Sequence, residues 1–166
     1  MKYAKIDKFE IVNGEDVGIS VYTYGCIFHC KNCFNSELWD LDKGEVWTDD
    51  TTDYLISLVK SSNISRVSFL GGEPLLDRNI DELKRVLKRL REEFPKIQIW
   101  VYSGYTYEQI KDRNLNDLLS YIDILVDGRY IDELRDYTLK FRGSSNQRVI
   151  DVNKSIQQDK IILKYD

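Results

Sequence analysis

The three cysteines of the chain, Cys26, Cys30 and Cys33, fall within eight residues of one another in the stretch TYGCIFHCKNCFN, beside its only histidine, His29. Thiolates are soft ligands for zinc and iron, and the spacing C-x3-C-x2-C lets one loop bring three sulfurs to one metal centre. Two inorganic readings compete. A structural zinc site closes a tetrahedron of four protein ligands, but His29 adjoins Cys30 and no second C-x2-C exists to complete a zinc ribbon. An iron–sulfur cluster is the better reading. Four-iron clusters ordinarily take four cysteines, one per iron, so one iron here lacks a protein ligand and is open to something else. His29 reads as a loop residue beside the ligands.

Other stretches offer chemistry further along. SFLGGEPLL sets Gly71 and Gly72 at the end of a buried strand, where missing side chains let the backbone approach a ligand closely; the plain alternative is a strand-ending turn. Glu73 adds a carboxylate and Pro74 stiffens the loop. Ser103 in YSGY and Asp127 in LVDGRY also lie at strand ends, and FRGSSNQRVIDV collects Arg142, Ser144, Asn146 and Arg148, several donors in one loop.

The elements that position these residues follow from periodicity. AKIDKFEI and GISVYTYG alternate apolar and polar residues about a turn at NGED, which predicts two strands. DDTTDYLISLVKSS carries Leu55, Leu58 and Val59 at helical spacing behind an acidic, threonine-bearing start. RVSFL is a short buried strand. NIDELKRVLKRLREEF is the clearest helix, with Leu83, Val86, Leu87, Leu90 and Phe94 on one face and a basic run off it that reads as a solvated face. IQIWVYSG, TYEQIKD and YIDILVDG continue the alternation, and QRVIDV and KIILKY read as closing strands. Strands alternating with helices predict an α/β fold with a mostly parallel sheet. A full eight-fold barrel takes about 250 residues, so 166 residues predict an incomplete, open β/α barrel in a single domain, residues 1–166.

Composition narrows the class. The chain is 42% hydrophobic and 31% charged with a formal net charge of −4, an ordinary globular balance that argues against a nucleic-acid surface. No run approaches the roughly 18 apolar residues of a membrane span, and the first residues lack the apolar core of a signal peptide. A cytoplasmic protein with reduced thiols is expected, which favours metal ligands over disulfides.

The cysteine spacing with an aromatic directly after the last cysteine, followed downstream by a strand and GGEP, resembles the radical S-adenosylmethionine enzymes. The resemblance implies a 4Fe-4S cluster on Cys26, Cys30 and Cys33, with S-adenosylmethionine chelating the open iron and cleaved reductively to a 5′-deoxyadenosyl radical. It implies that Gly71, Gly72 and Glu73 hold the ammonium end of the methionine moiety, that Asn32, Cys33 and Phe34 lie beside the adenine, and that Ser103 and Asp127 contact the cofactor. CFNSELWD, WVYSGYTYEQI, DILVDGRY and FRGSSNQRVIDV are similar to the activating enzymes of anaerobic ribonucleotide reductase. That similarity implies a protein substrate, the large catalytic subunit of the reductase, on which a glycyl radical is left, and a one-electron donor such as flavodoxin. A radical enzyme acting on a small molecule and a zinc-binding interaction module stay open as alternatives.

Overall fold

The computed structural model describes residues 1–166. Strands β1 (Lys2–Glu10) and β2 (Gly18–Thr23) form the expected antiparallel pair, and the two-residue β3 (Glu45–Val46) adds to the outer edge of β1. Helix α1 (Asp49–Ser61) starts on a Thr48 cap that accepts the Thr51 N–H, with Asp49 and Asp50 facing the positive end of the helix dipole. After β4 (Arg66–Gly71) comes α2 (Ile80–Glu93), then β5 (Gln98–Ser103), the short helices α3 (Tyr107–Asp112) and α4 (Asn116–Leu119), and β6 (Ile124–Asp127). The chain closes with β7 (Arg148–Asp151), α5 (Val152–Gln158) and β8 (Leu163–Tyr165).

All eight strands lie in one open sheet, in the order β3-β1-β2-β4-β5-β6-β7-β8. The expectation of a mostly parallel sheet is corrected: only β2–β4, β4–β5 and β5–β6 are parallel, and the other four pairings are antiparallel. The reason is the connections. A parallel pair needs a crossover of a dozen or more residues, usually a helix, and here α1, α2 and the α3–α4 pair supply the three. The turn between β1 and β2 is too short to cross over, and the segment from β6 to β7 doubles back over the site described below.

Period-2 alternation gives the sheet two apolar faces. Val21, Phe69, Val101 and Leu125 join the main core under the helices, where α2 buries Leu83, Val86, Leu87 and Leu90. On the opposite face Trp100, Ile124, Val126 and Val149 form a smaller cluster with Tyr102, Phe141 and Tyr165 packed on it. Arg66, 0% exposed, closes that face at the start of β4. The basic run on α2 is balanced by acids rather than merely solvated: Arg89 meets Asp53 and Glu93, and Arg91 reaches Asp123 at 2.7 Å and the Tyr121 carbonyl at 2.9 Å.

Candidate functional site

The central strands β2, β4, β5 and β6 run parallel and end on one side, the edge where open α/β sheets bind their ligands. The cysteine loop leaves the end of β2. Its start is pinned to the segment that follows it, because the Gly25 N–H donates to the Leu38 carbonyl at 2.8 Å and the Cys26 N–H to the Trp39 carbonyl at 3.0 Å. Two backbone N–H groups aim at sulfur, Phe28 at Cys26 Sγ (3.5 Å) and Asn35 at Cys33 Sγ (3.4 Å), and such donors favour thiolates. Burial works the other way and pushes the Cys26 and Cys30 thiols up. Unligated, both carry their protons at neutral pH, and ligation to a metal releases them.

The glycine pair clamps this loop from the side. Glu73 N–H donates to the Gly25 carbonyl at 2.7 Å and Gly72 N–H to the Thr23 carbonyl at 2.8 Å. A β-carbon on Gly72 would sit 2.3 Å from the Gly25 carbonyl oxygen, and Gly71 has φ of +105°. What these glycines admit is the backbone of the cysteine loop itself. Gly72→Ala is therefore expected to lose about 2–3 kcal/mol through forced overpacking, a fall of roughly 4–12 °C in melting temperature for a chain of this size, checked by calorimetry.

Glu73 turns inward. Its carboxylate, 1% exposed, accepts from Leu75 N–H (2.8 Å), Ser103 Oγ–H (2.8 Å) and Gly104 N–H (2.7 Å), which ties the loop after β4 to the end of β5. Both oxygens are engaged by the scaffold, which orients the carboxylate at the cavity. Burial raises its pKa to about 7, against the pull of those three donors. The folded state then holds a proton that the unfolded chain has already lost above its ordinary value, so stability falls as pH rises from about 4.5 to 7. The melting temperature of the metal-free protein is expected to drop across that window, and Glu73→Gln to flatten the slope.

Asp127 is buried too. It accepts from Tyr107 N–H (2.7 Å) and Arg148 Nε (2.9 Å), and Arg148 also meets Glu108 at 2.7 Å. Hydrogen bonding to Arg148 holds Glu108 at about 2. The donors of the FRGSSNQR loop are largely committed as well: Asn146 Nδ2 bonds the Arg129 carbonyl (2.8 Å) and buried Ser144 accepts Ile131 N–H (3.1 Å). The loop is a knitted cover beside the site.

Cys26, Cys30, Cys33, Gly72 and Ser103 share one cavity of about 130 Å³ with Trp39. No set of three His, Cys, Asp or Glu side chains is arranged to hold a single metal ion. Trp39 and Tyr102, which also lines this cavity, each bury a polar hydrogen, the indole N–H and the phenol O–H, with no acceptor. An unmet buried donor costs about 1–3 kcal/mol, and neither of these two atoms has surface open to the cavity. Three thiols on one cavity with no fourth suit an iron–sulfur cluster with one iron open to a further ligand.

Residues 12–150 match the family described as a 4Fe-4S single cluster domain. The anaerobic ribonucleoside-triphosphate reductase-activating protein of Vibrio cholerae is 35% identical over 149 residues, covering 89% of this chain and 96% of the relative. The chain belongs to the reductase-activating protein family. The family members of Escherichia coli K12 and of bacteriophage T4 are each 32% identical over 90% of the chain, covering 97% and 93% of their own lengths.

Within this activating-protein fold the sequence-predicted residues divide. Cys33, Gly71, Gly72, Glu73 and Ser103 come together on the cysteine cavity. Phe34 lies outside it, 65% exposed, tilted against Tyr130 at 5.5 Å and lining an adjacent apolar groove of about 530 Å³. Asp127 lines a polar recess on the other side. Asn32 donates to Asp132 at 2.7 Å and, with Lys31 on Glu133 at 3.0 Å, tethers the cysteine loop to the segment after β6. Sequence reasoning missed Trp39 and Tyr102, although both stand inside motifs that carry the resemblance.

Proposed function

We propose that this chain activates anaerobic ribonucleotide reductase by generating a glycyl radical on its large subunit, with a 4Fe-4S cluster on Cys26, Cys30 and Cys33 and S-adenosylmethionine as cofactor. The observation that carries the reading is the single cavity holding all three thiols, no fourth, and the Gly71–Glu73 and Ser103 loops. When bound, the cluster supplies a low-potential electron and the sulfonium cofactor the carbon radical that takes a hydrogen atom from glycine. The chain's own task is placement and exclusion of water. Glu73 fixes the loops after β4 and β5 against each other, and Tyr102 forms part of the wall shared by the cavity and the groove.

The groove supports a protein substrate. It is lined mainly by apolar and aromatic side chains, among them Phe34, Tyr137 and Phe141, and it shares Cys33 with the cavity. An open sheet whose β3 and β8 edges do not meet supports the incomplete β/α barrel, one domain with a side wide enough for a loop of the large subunit. Free thiols suit the reducing cytosol, where a one-electron donor such as flavodoxin would serve it. No helix is long and apolar enough to cross a membrane.

The test is electron paramagnetic resonance on anaerobically reconstituted protein, reduced with dithionite and mixed with S-adenosylmethionine and the large reductase subunit. A glycine-type doublet on that subunit is expected. A cluster signal that responds to the cofactor without any doublet would point to a small-molecule substrate instead, and protein without iron would return the zinc module.

A further inference from the structure

We infer that Tyr130, held by the hydrogen-bond chain Asn32–Asp132–Tyr130, is a positioning residue: it fixes the junction between the cysteine cavity and the neighbouring groove, and so sets where a glycine-bearing segment of the large subunit comes to rest beside the cavity. The inference rests on the reductase-activation reading above and deepens it.

The junction is built from two kinds of residue. Leu70, Tyr102 and Val126 line both cavity and groove from strands β4, β5 and β6, where the sheet holds them. Tyr130 also lines both, from a stretch that belongs to no helix or strand. The segment around it is knitted to itself: Asn146 Nδ2 donates to the Arg129 carbonyl at 2.8 Å and Gln147 Nε2 to the Gly128 carbonyl at 2.9 Å. Its place relative to the cysteine loop is set by the contacts between the two.

One short circuit supplies them. The Cys33 N–H donates to the Cys30 carbonyl at 3.1 Å, and the turn so closed sets Asn32 at φ of +56°, a left-handed conformation that asparagine adopts more readily than most residues. From there Asn32 Nδ2 donates to Asp132 Oδ2 at 2.7 Å, and the other oxygen of the same carboxylate accepts the Tyr130 O–H at 2.8 Å. The Tyr130 ring meets Phe34 with centroids 5.5 Å apart, which closes the circuit on the residue after Cys33. The Asp132 side chain is only 15% exposed, so water competes poorly for these bonds. The neighbouring Lys31–Glu133 pair is 71% and 68% exposed and adds little. The consequence is geometric. Hydrogen transfer needs its reacting atoms about 3–3.5 Å apart, and a misplacement of about 1 Å can cost on the order of 100-fold.

The test uses the reconstituted full chain with the large reductase subunit and reads the 5′-deoxyadenosine released per glycyl radical formed. Two variants break the circuit: Tyr130→Phe removes only the hydroxyl, and Asn32→Asp sets two carboxylates against each other. Both are expected to raise that ratio several-fold with iron content unchanged. The reciprocal swap, Asn32→Asp with Asp132→Asn, restores donor and acceptor in reverse order and is expected to bring the ratio back. In the metal-free chain, amide hydrogen exchange across residues 128–136 should quicken in Asn32→Asp and recover in the swap. An unchanged ratio in Tyr130→Phe overturns the inference. So does unchanged amide exchange in Asn32→Asp, or a swap that holds its iron and fails to restore the ratio. If either charge variant holds no iron, Tyr130→Phe decides alone. Absence of any glycyl radical with the unaltered chain is a different failure, that of the reductase reading itself.

Discussion

Cys30→Ala is expected to lose the cluster and, with it, all detectable glycyl radical on the reductase. The reason lies in the ligand count. With only three cysteines in the chain, no spare thiol can replace a lost one, and His29, the neighbour best placed by sequence, is stacked on Trp39. Changes outside the ligand set of a metal site commonly cost 10–100-fold in affinity or activity; losing one of three ligands should exceed that range. Iron analysis after anaerobic reconstitution, together with the glycyl doublet, reads both effects. The fold should survive, because Cys30 is only partly buried and belongs to neither apolar cluster. Unchanged far-ultraviolet circular dichroism would separate loss of the cluster from loss of the protein.

Arg66→Ala should produce the largest loss of stability. The guanidinium is wholly buried and donates to the Glu10 carbonyl (2.8 Å), the Asn13 carbonyl (2.9 Å) and the Glu15 carbonyl (3.0 Å), beside the Glu10 carboxylate at 3.4 Å. One planar fork thus satisfies most of the turn between β1 and β2. Alanine leaves those acceptors without a donor and a carboxylate without its partner, a class of change that costs about 3–5 kcal/mol, or roughly 6–20 °C in melting temperature at this chain length. Arg66→Lys should recover little of it, since a single ammonium cannot reach three carbonyls set around a rigid fork. Thermal melts of the metal-free variants decide the matter, and a loss below about 1 kcal/mol would show that water replaces the guanidinium.

What the sequence made legible was position. Strong amphipathic patterns placed α1 and α2 within a residue or two of their observed ends, and the cysteine spacing located the centre of the site. Helix α5 escaped because VNKSIQQ buries only Val152 and Ser155; it has a capping Asp151 but no apolar stripe, so the pattern offered nothing to count. Direction was the harder quantity. Glu73, Asp127 and Asn32 all sit where a ligand-facing residue was expected, yet each carries its polar atoms to the scaffold. A sequence states which polar group stands at a strand end; only the packed fold states which way it turns.

The tether between the cysteine loop and the segment after β6 also bears on when the site comes into being. Asn32 and Asp132 are 100 positions apart, and Lys31 and Glu133 are 102, while Tyr165 closes back on Glu15 across 150. Contacts so distant along the chain form late, because the closure entropy of a long loop is met before the contact repays it. During synthesis the cysteine loop can take its pins to Leu38, Trp39 and the Gly72–Glu73 turn early, from residues close behind it. Its two outer tethers, and the cover that FRGSSNQR adds beside the thiols, are available only to a nearly complete chain.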